Sequence, residues 1–297
     1  MLSDITTTPF AVVIGTMSKD SLMTKMINTK AQQFIAYWKN WQKFEPRVFK
    51  DTDVNEEDLN KYSLILYGGA DDNLVTKILG DKIPLKISPD EIELGGRKFQ
   101  AKDAYVQMIY PSPYNPQRYV SVIGATSSAG MFFYNNNSSN YDFVIQDGSI
   151  PNNRLGRTQD KLYIASGSFD YNWQINNKLL RVGDEELRKT SPFRKVVLPG
   201  FTTKIENIPA LDSTFCKTLA GKYEMPSGTK VSVLFENGKL YAISPEGMKL
   251  QLFPSSDTEY FLDVTDLQIS FVKSAAGKVD KMIVHQGGQD IEFKKVE

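Results

Sequence analysis

The hydrophobic period of the chain changes once, near residue 206. Before that point short, continuous apolar runs alternate with stretches whose apolar residues return every three or four positions. FAVVIGT (10–16) is such a run, closed by Gly15. Residues 21–43 then carry Leu22, Met26, Ile27, Phe34, Trp38 and Trp41, the spacing of one face of a long amphipathic helix. RVFKD (47–51) follows, then a short helix over about 55–61, where Asp53 and Glu56 form a capping-box-like pair. SLILYGG (63–69) is a second apolar strand, and DDNLVTKILGD (71–81) a helix with Asp71 or Asp72 as its N-cap. GGRKFQ (95–100) suggests a small hairpin. AYVQMIY (104–110), YVSVIGA (119–125), a short helix near 127–135 and YDFVIQD (141–147) complete the pattern. Strands apolar on both faces and separated by helices predict an open, doubly wound, mostly parallel sheet of the α/β class, a Rossmann- or flavodoxin-like domain over residues 1–150.

After residue 206 the helical period vanishes. TKVSVLFENGKLYAISP, MKLQLFPSS, TEYFLDV, LQISFVKS and KVDKMIVHQGGQDIEFKKV come at short spacing, with Asn-Gly in ENGK (236–239) and further glycine turns at AAGK (275–278) and QGGQ (286–289). About eight antiparallel strands joined by tight turns predict a small all-β meander barrel or sandwich over 206–297. Residues 151–205 read as a connector with one or two added strands, LYIAS (162–166) the clearest.

Thirty-five basic residues balance thirty-five acidic ones, which argues against a nucleic-acid surface on the scale of the whole molecule. No apolar run approaches the roughly 20 residues of a membrane span. The first residues have no basic n-region and do not form a signal peptide. A strand entered almost at once fits a chain whose targeting segment lies upstream, which would make it periplasmic or secreted; otherwise it is cytoplasmic. The lone Cys216 fits either compartment.

The ordered features G-x-Y-E (221–224), N-G-x-L-Y (237–241), L-F-P-S (252–255), I-S-F (269–271), G-K-V (277–279) and H-Q-G-G (285–288) carry a resemblance. Over about 212–297 the chain resembles the lipocalin-like C-terminal domain of serine β-lactamase-like, penicillin-binding-protein-like peptidases. That resemblance implies an accessory barrel concerned with oligomerisation or substrate access. SLILYGGADDNLVTKILGDKIPLKI (63–87), QMIYPSPYNPQRYVSVIGA (107–125) and YDFVIQDG (141–148) are similar to the region downstream of the catalytic domain in bacterial prolyl-oligopeptidase-like or esterase-like α/β-hydrolases. There the catalytic serine, acid and histidine lie upstream of the part matched, so a hydrolase catalytic domain or a second copy of the chain is the partner implied.

The chemical motifs are sparse. A nucleophile elbow needs G-x-S-x-G. GATSSAG (124–130) places Ser127 three residues from each glycine, and the only histidine, His285, lies in the other half. Just ahead of a hairpin turn, His285 reads as locally bonded or facing the barrel mouth. VIGTMSKD lacks the spaced glycines of a dinucleotide fingerprint. DTDVNEED (51–58) starts like a calcium loop, with Asp51, Asp53 and Asn55, but has Glu56 and Tyr62 where glycine and glutamate are required. One cysteine and one histidine serve zinc poorly. No metal and no cofactor are expected.

Open α/β sheets bind ligands beyond the carboxyl ends of their strands. The crevice candidates are therefore Gly15, Thr16, Gly68, Gly69, Asn73, Gly124, Thr126 and Ser127, with tight turns and helix caps as the plainer reading. In the proline-rich loop, Tyr110, Tyr114, Arg118 and Tyr119 are candidate interaction residues. The reading that follows is a non-catalytic accessory module of a hydrolase or peptidase system, the C-terminal part of a larger enzyme. One alternative is a stand-alone hydrolase using Ser127 or Thr126. Another is an apolar-ligand carrier lined by Val231, Val233, Phe235, Leu252, Phe261, Ile269, Phe271 and Ile283, although small barrels usually fill with their own side chains.

Overall fold

The computed structural model describes residues 2–134, 141–150, 163–189, 195–198, 202–205, 208–244, 247–262, 267–274, 277–286 and 289–296. Residues 135–140, residues 151–162, 190–194 and 199–201 of the expected connector, and Gly287-Gly288 of the expected glycine turn lie outside these residues. The chain forms two compact units: Met1–Ser149, Asp160–Thr190 and Val196–Lys204 in the first, and Ile150–Gln159, Ser191–Lys195 and Ile205–Glu297 in the second.

The first unit opens with β1 (Phe10–Ile14), α1 (Ser21–Trp41), β2 (Arg47–Lys50), α2 (Glu56–Lys61), β3 (Ser63–Tyr67) and α3 (Leu74–Leu79). Three short strands, β4 (Leu85–Ser88), β5 (Glu91–Leu94) and β6 (Arg97–Gln100), form a separate antiparallel sheet. Then come β7 (Ala104–Pro111), β8 (Tyr119–Ala125), α4 (Ser128–Phe133), β9 (Phe143–Asp147), β10 (Tyr163–Gly167), β11 (Arg181–Val182) and α5 (Glu185–Lys189). The main sheet has eight strands in the order β11-β10-β9-β7-β8-β3-β1-β2. A two-stranded sheet pairs β12 (Lys195–Leu198) with β13 (Thr202–Ile205).

Both faces of the main sheet are covered, which is why β1 and β3 read as unbroken apolar runs. On one face Met23, Met26, Ile27, Ala31 and Phe34 of α1 pack on Phe10, Val12, Ile65 and Tyr67, joined by Met131 of α4. On the other, Ala11, Val13, Leu64 and Leu66 meet Val75 and Leu79 of α3 and Ile92, Leu94 and Phe99 of the small sheet. Each such side chain fully removed from water contributes about 1.5–3 kcal/mol before the entropy of ordering it is counted.

The sheet is mixed, where a mostly parallel one was expected. The pairs β1–β2, β1–β3 and β3–β8 are parallel, and β7–β8, β7–β9, β9–β10 and β10–β11 are antiparallel. A parallel crossover needs a dozen or more residues. The loop 112–118 between β7 and β8 is too short for one, so that pair must run antiparallel. The caps also shift. Asn73, not Asp71 or Asp72, caps α3, because Asp72 and Asn73 both donate their amides to Gly69 O and so belong to the preceding turn. Asn55 with Asp58, not Asp53 with Glu56, makes the capping box of α2.

The second unit is a closed antiparallel barrel of β14 (Gly221–Glu224), β15 (Lys230–Glu236), β16 (Lys239–Ile243), β17 (Lys249–Pro254), β18 (Glu259–Phe261), β19 (Gln268–Lys273), β20 (Val279–Gln286) and β21 (Gln289–Lys295). The predicted Asn-Gly hairpin is present, with Asn237 and Gly238 at φ 52° and 74°, as a type I′ turn requires. The interior holds Tyr223, Val233, Leu240, Leu252, Tyr260, Ile269, Phe271, Met282 and Phe293, and Cys216 and Leu219 of α6 (Ser213–Leu219) join the same core. Val231 and Phe235 are partly buried against it. Phe261 and Ile283 do not point inward. Tyr260 and Leu262 take the core side, leaving Phe261 against Phe253, and Met282 and Val284 take it on β20, leaving Ile283 outside with His285.

Candidate functional site

The only histidine is held between two partners that strand pairing brings from elsewhere. In the barrel His285 lies directly opposite Asp290 of β21, and one diagonal step from Ser270 of β19. Its Nε2 is 2.7 Å from Ser270 Oγ and its Nδ1 is 2.7 Å from Asp290 Oδ1. Ser270 Oγ also stands 2.6 Å from Oε2 of Glu259 on β18, the residue paired with it in the ladder. A serine, histidine and aspartate thus meet at triad distances on the outer wall.

Among the described residues the arrangement lacks what a hydrolytic serine needs next. Phe271 donates its amide to Thr258 O on the β18 side. Amides alternate direction along an antiparallel strand, so that of Ser270 turns toward its β20 partner Ile283 and is spent in the ladder. It is therefore not free to stabilise an oxyanion, a contribution worth about 10²–10³ in rate. Glu259 moreover takes the hydrogen of Ser270 away from the histidine. The geometry makes a hydrogen-bonded line across β18, β19, β20 and β21, not an acyl-transfer centre.

At the carboxyl ends of β1 and β3, the sheet brings Gly15, Thr16, Gly68 and Asn73 together and fills the space between them with the chain itself. Gly15 donates its amide to Tyr67 O at 2.9 Å, and a Cβ on Gly15 would stand 2.5 Å from Asp72 O. Asn73 is fully buried. Its Nδ2 donates to Tyr67 O at 3.0 Å, and its Oδ1 accepts the amides of Val75 and Thr76 at 3.0 and 3.2 Å. Thr76 Oγ1 donates to Gly68 O at 3.0 Å.

The central group is one that the sequence offered only as the first oxygen of an incomplete calcium loop. Asp51, in a 3-10 turn after β2 and 1% exposed, accepts from the Thr16 amide (3.1 Å), the Thr16 hydroxyl (2.6 Å), the Leu74 amide (2.7 Å) and the Thr52 amide (3.1 Å). Its carboxylate sits where a sheet of this kind offers donors to a ligand's anionic group. The available signal was its place, an acid immediately after a strand beside β1. Close by, burial pushes the Asp72 carboxyl above its ordinary range, with Asp71 and Asp20 adding repulsion, against hydrogen bonds from Ser18 and the Gly69 amide.

Gly69 and Gly124 approach each other beneath Ile87, whose Cδ1 lies 2.4 Å from where a Cβ of Gly124 would be. Thr126 and Ser127 stand apart from that group. Thr126 Oγ1 donates to Ala101 O at 2.7 Å and accepts from the Ala104 amide at 3.1 Å. Ser127 caps α4, accepting from the Gly130 amide at 3.0 Å and donating to Asp103 Oδ1 at 2.7 Å.

The proline-rich loop is tied to its own unit. Arg118 Nε and Asn115 Nδ2 donate to the last carbonyls of α2, Lys61 O and Asn60 O, at 2.8 and 2.7 Å. Tyr110 and Tyr119 pack on Trp173 with ring centroids 5.7 and 6.0 Å away, and Lys82 lies 4.8 Å from the Tyr114 ring. Trp173 adopts φ 58°, a left-handed conformation that is strained for so large a residue and is held by this aromatic cluster.

Comparison with known proteins bears on the barrel. Residues 208–295 match the model of a domain family described as "Domain of unknown function (DUF3471)". It is a C-terminal domain of β-lactamase-like and penicillin-binding-protein-like proteins. Penicillin-binding protein 4* of Bacillus subtilis (strain 168) is 27% identical to this chain over 81 residues, which are 27% of the chain and 18% of that protein. The similarity thus spans less than a fifth of the relative's length. Among the described residues no helix is long and apolar enough to cross a membrane.

Proposed function

We propose that this chain is a non-catalytic accessory module of a hydrolase or peptidase system, its barrel serving a partner catalytic domain by docking or oligomerisation. The match of residues 208–295 to a hydrolase-associated domain carries the reading. The chemistry of the serines agrees with it. Ser127 and Thr126 are committed to a helix cap and a turn, and Ser270 sits in a ladder that takes up its own amide. On this reading the first unit is a doubly wound relative whose crevice residues, Gly15, Thr16, Gly68, Gly69, Asn73 and Gly124, shape turns around the Asp51 carboxylate. Tyr114 and Arg118, with the exposed Pro113, Pro116 and Gln117, border the face that meets the catalytic domain. The carrier alternative is disfavoured by a barrel interior occupied by Tyr223, Tyr260 and Phe271, with ring centroids 5.5 and 5.8 Å apart.

The test is reactivity of the full chain toward a fluorophosphonate probe and a chromogenic ester. The reading expects neither labelling nor turnover above that of the Ser127→Ala and Ser270→Ala variants. Labelling that disappears in either variant would assign this chain its own hydrolytic centre and overturn the proposal.

A further inference from the structure

We infer that Glu259, Ser270, His285 and Asp290 form a protonation-gated latch on the barrel wall, closed when the imidazole is charged and open when it is neutral. The inference rests on counting hydrogens. The line has three links: Glu259 Oε2 to Ser270 Oγ, Ser270 Oγ to His285 Nε2, and His285 Nδ1 to Asp290 Oδ1, at 2.6, 2.7 and 2.7 Å. Both ends are carboxylates, which when ionised only accept. Three links therefore need three hydrogens from the middle of the line. The serine hydroxyl supplies one and a neutral imidazole one more; an imidazolium supplies two. With a neutral ring, one link has no hydrogen and sets two lone pairs against each other. If Nδ1–H stays on Asp290, the one hydroxyl hydrogen must choose between Nε2 and Glu259.

The latch ends on the shortest strand of the wall. Strand β18 is three residues long and pairs with β17 at two positions only, Phe253 with Phe261 and Pro254 with Tyr260. Glu259 is its first residue, so the link to Ser270 is a side-chain tether added to a short ladder. Of the strands packed beside the histidine, β19 presents the uncharged Gln268 and Ser270, and β21 presents Asp290 and Glu292. Glu292 is engaged by Lys281 of β20 at 3.0 Å, and Lys294 lies opposite Lys281. Among the described residues, Asp290 and, through the hydroxyl, Glu259 are thus the carboxylates that the line itself engages. The second imidazole hydrogen belongs to the closed state, so the latch holds while the ring is charged and releases when it is neutral.

Hydrogen exchange in the full chain tests this. Peptides covering β18 and β19 are followed at pH 5.5 and 8.5, corrected for intrinsic rates and referenced to the β15–β16 hairpin. Wild-type protection should fall about threefold to tenfold toward pH 8.5, the scale of one net hydrogen bond. In Glu259→Gln the amide brings its own hydrogens, so all three links survive with a neutral ring and the fall should vanish with protection kept. Ser270→Ala breaks the line in the middle and should be pH-independent as well, with protection low throughout. Both positions are solvent-accessible, and neither change empties the core. Since the chain has one histidine, its ring ¹⁵N shifts report its charge directly, and the loss of protection must follow that charge. A flat wild type, a Glu259→Gln variant that keeps the pH-dependence, or a change that does not follow the ring would overturn the latch.

Discussion

At the scale of single residues, two carboxylates side by side behave in opposite ways. Asp51 is buried with four donors aimed at it, whereas Asp72 is buried beside Asp71 and Asp20. Asp51→Ala leaves the part-buried Thr16 and Leu74 amides without their acceptor and should cost about 1–3 kcal/mol. It is read by urea unfolding through tryptophan fluorescence, since Trp38, Trp41 and Trp173 all lie in the first unit. Asp72→Asn should instead stabilise. A carboxyl whose folded pKa is raised favours the protonated form, so its contribution is best at low pH and is lost as pH rises through the folded value. The gain in midpoint from Asp72→Asn should therefore be present at pH 7 and shrink toward pH 3, and a variant less stable at pH 7 would contradict it. Neither role could be read from the sequence. Asp51 looked like the first ligand of a failed calcium loop, and what converges on it comes from residues 16 and 74, a matter of strand order. The histidine line was hidden for the same reason, because residues 259, 270, 285 and 290 meet only once the barrel's register is fixed.

At the scale of elements, local chemistry was far more legible. Periodicity located α1, and the alternation of β15, β16, β19 and β20 with an Asn-Gly turn gave the hairpins, since these depend on neighbours a few residues apart. Where α3 begins depended on a local turn that the residue types did not announce, the amides of Asp72 and Asn73 both bonding Gly69 O so that Asn73 became the cap. Parallel and antiparallel pairing could have been separated by loop length, because seven residues between β7 and β8 forbid a crossover. The glycines of these turns differ in kind. Gly15→Ala forces a Cβ into Asp72 O and Tyr67 O, 2.5 and 2.7 Å away, both backbone atoms of the strand-to-helix turn. It should cost about 1–3 kcal/mol through overpacking. Gly228, at φ 87° with nothing within 4 Å of a Cβ, should lose only about 1 kcal/mol to backbone strain on Gly228→Ala. Paired denaturation curves distinguish the two, and equal costs would mean that close packing at the β1 turn is not the reason for its glycine.

At the scale of the whole molecule, the chain carries two chemically different cores. One is layered on both faces of a mixed sheet, and the other fills a closed barrel. Units with separate cores unfold as separate transitions unless a large apolar interface couples them. The placement of the tryptophans allows this to be read without dissecting the chain. Barrel unfolding is silent in tryptophan emission and visible in far-ultraviolet dichroism. Phe271 is 3% exposed and lies between Tyr223 and Tyr260, so Phe271→Ala removes a ring that the closed barrel cannot easily collapse around. A loss of about 3–5 kcal/mol is expected, enough to unfold a marginal domain of this size. The dichroism transition should move to lower urea, or its barrel component disappear, while the tryptophan midpoint stays within error of the wild type. If the fluorescence transition moves with it, the two cores are one cooperative system. The barrel would then be a stabilising part of the first unit, not the separable accessory that the match over residues 208–295 supports.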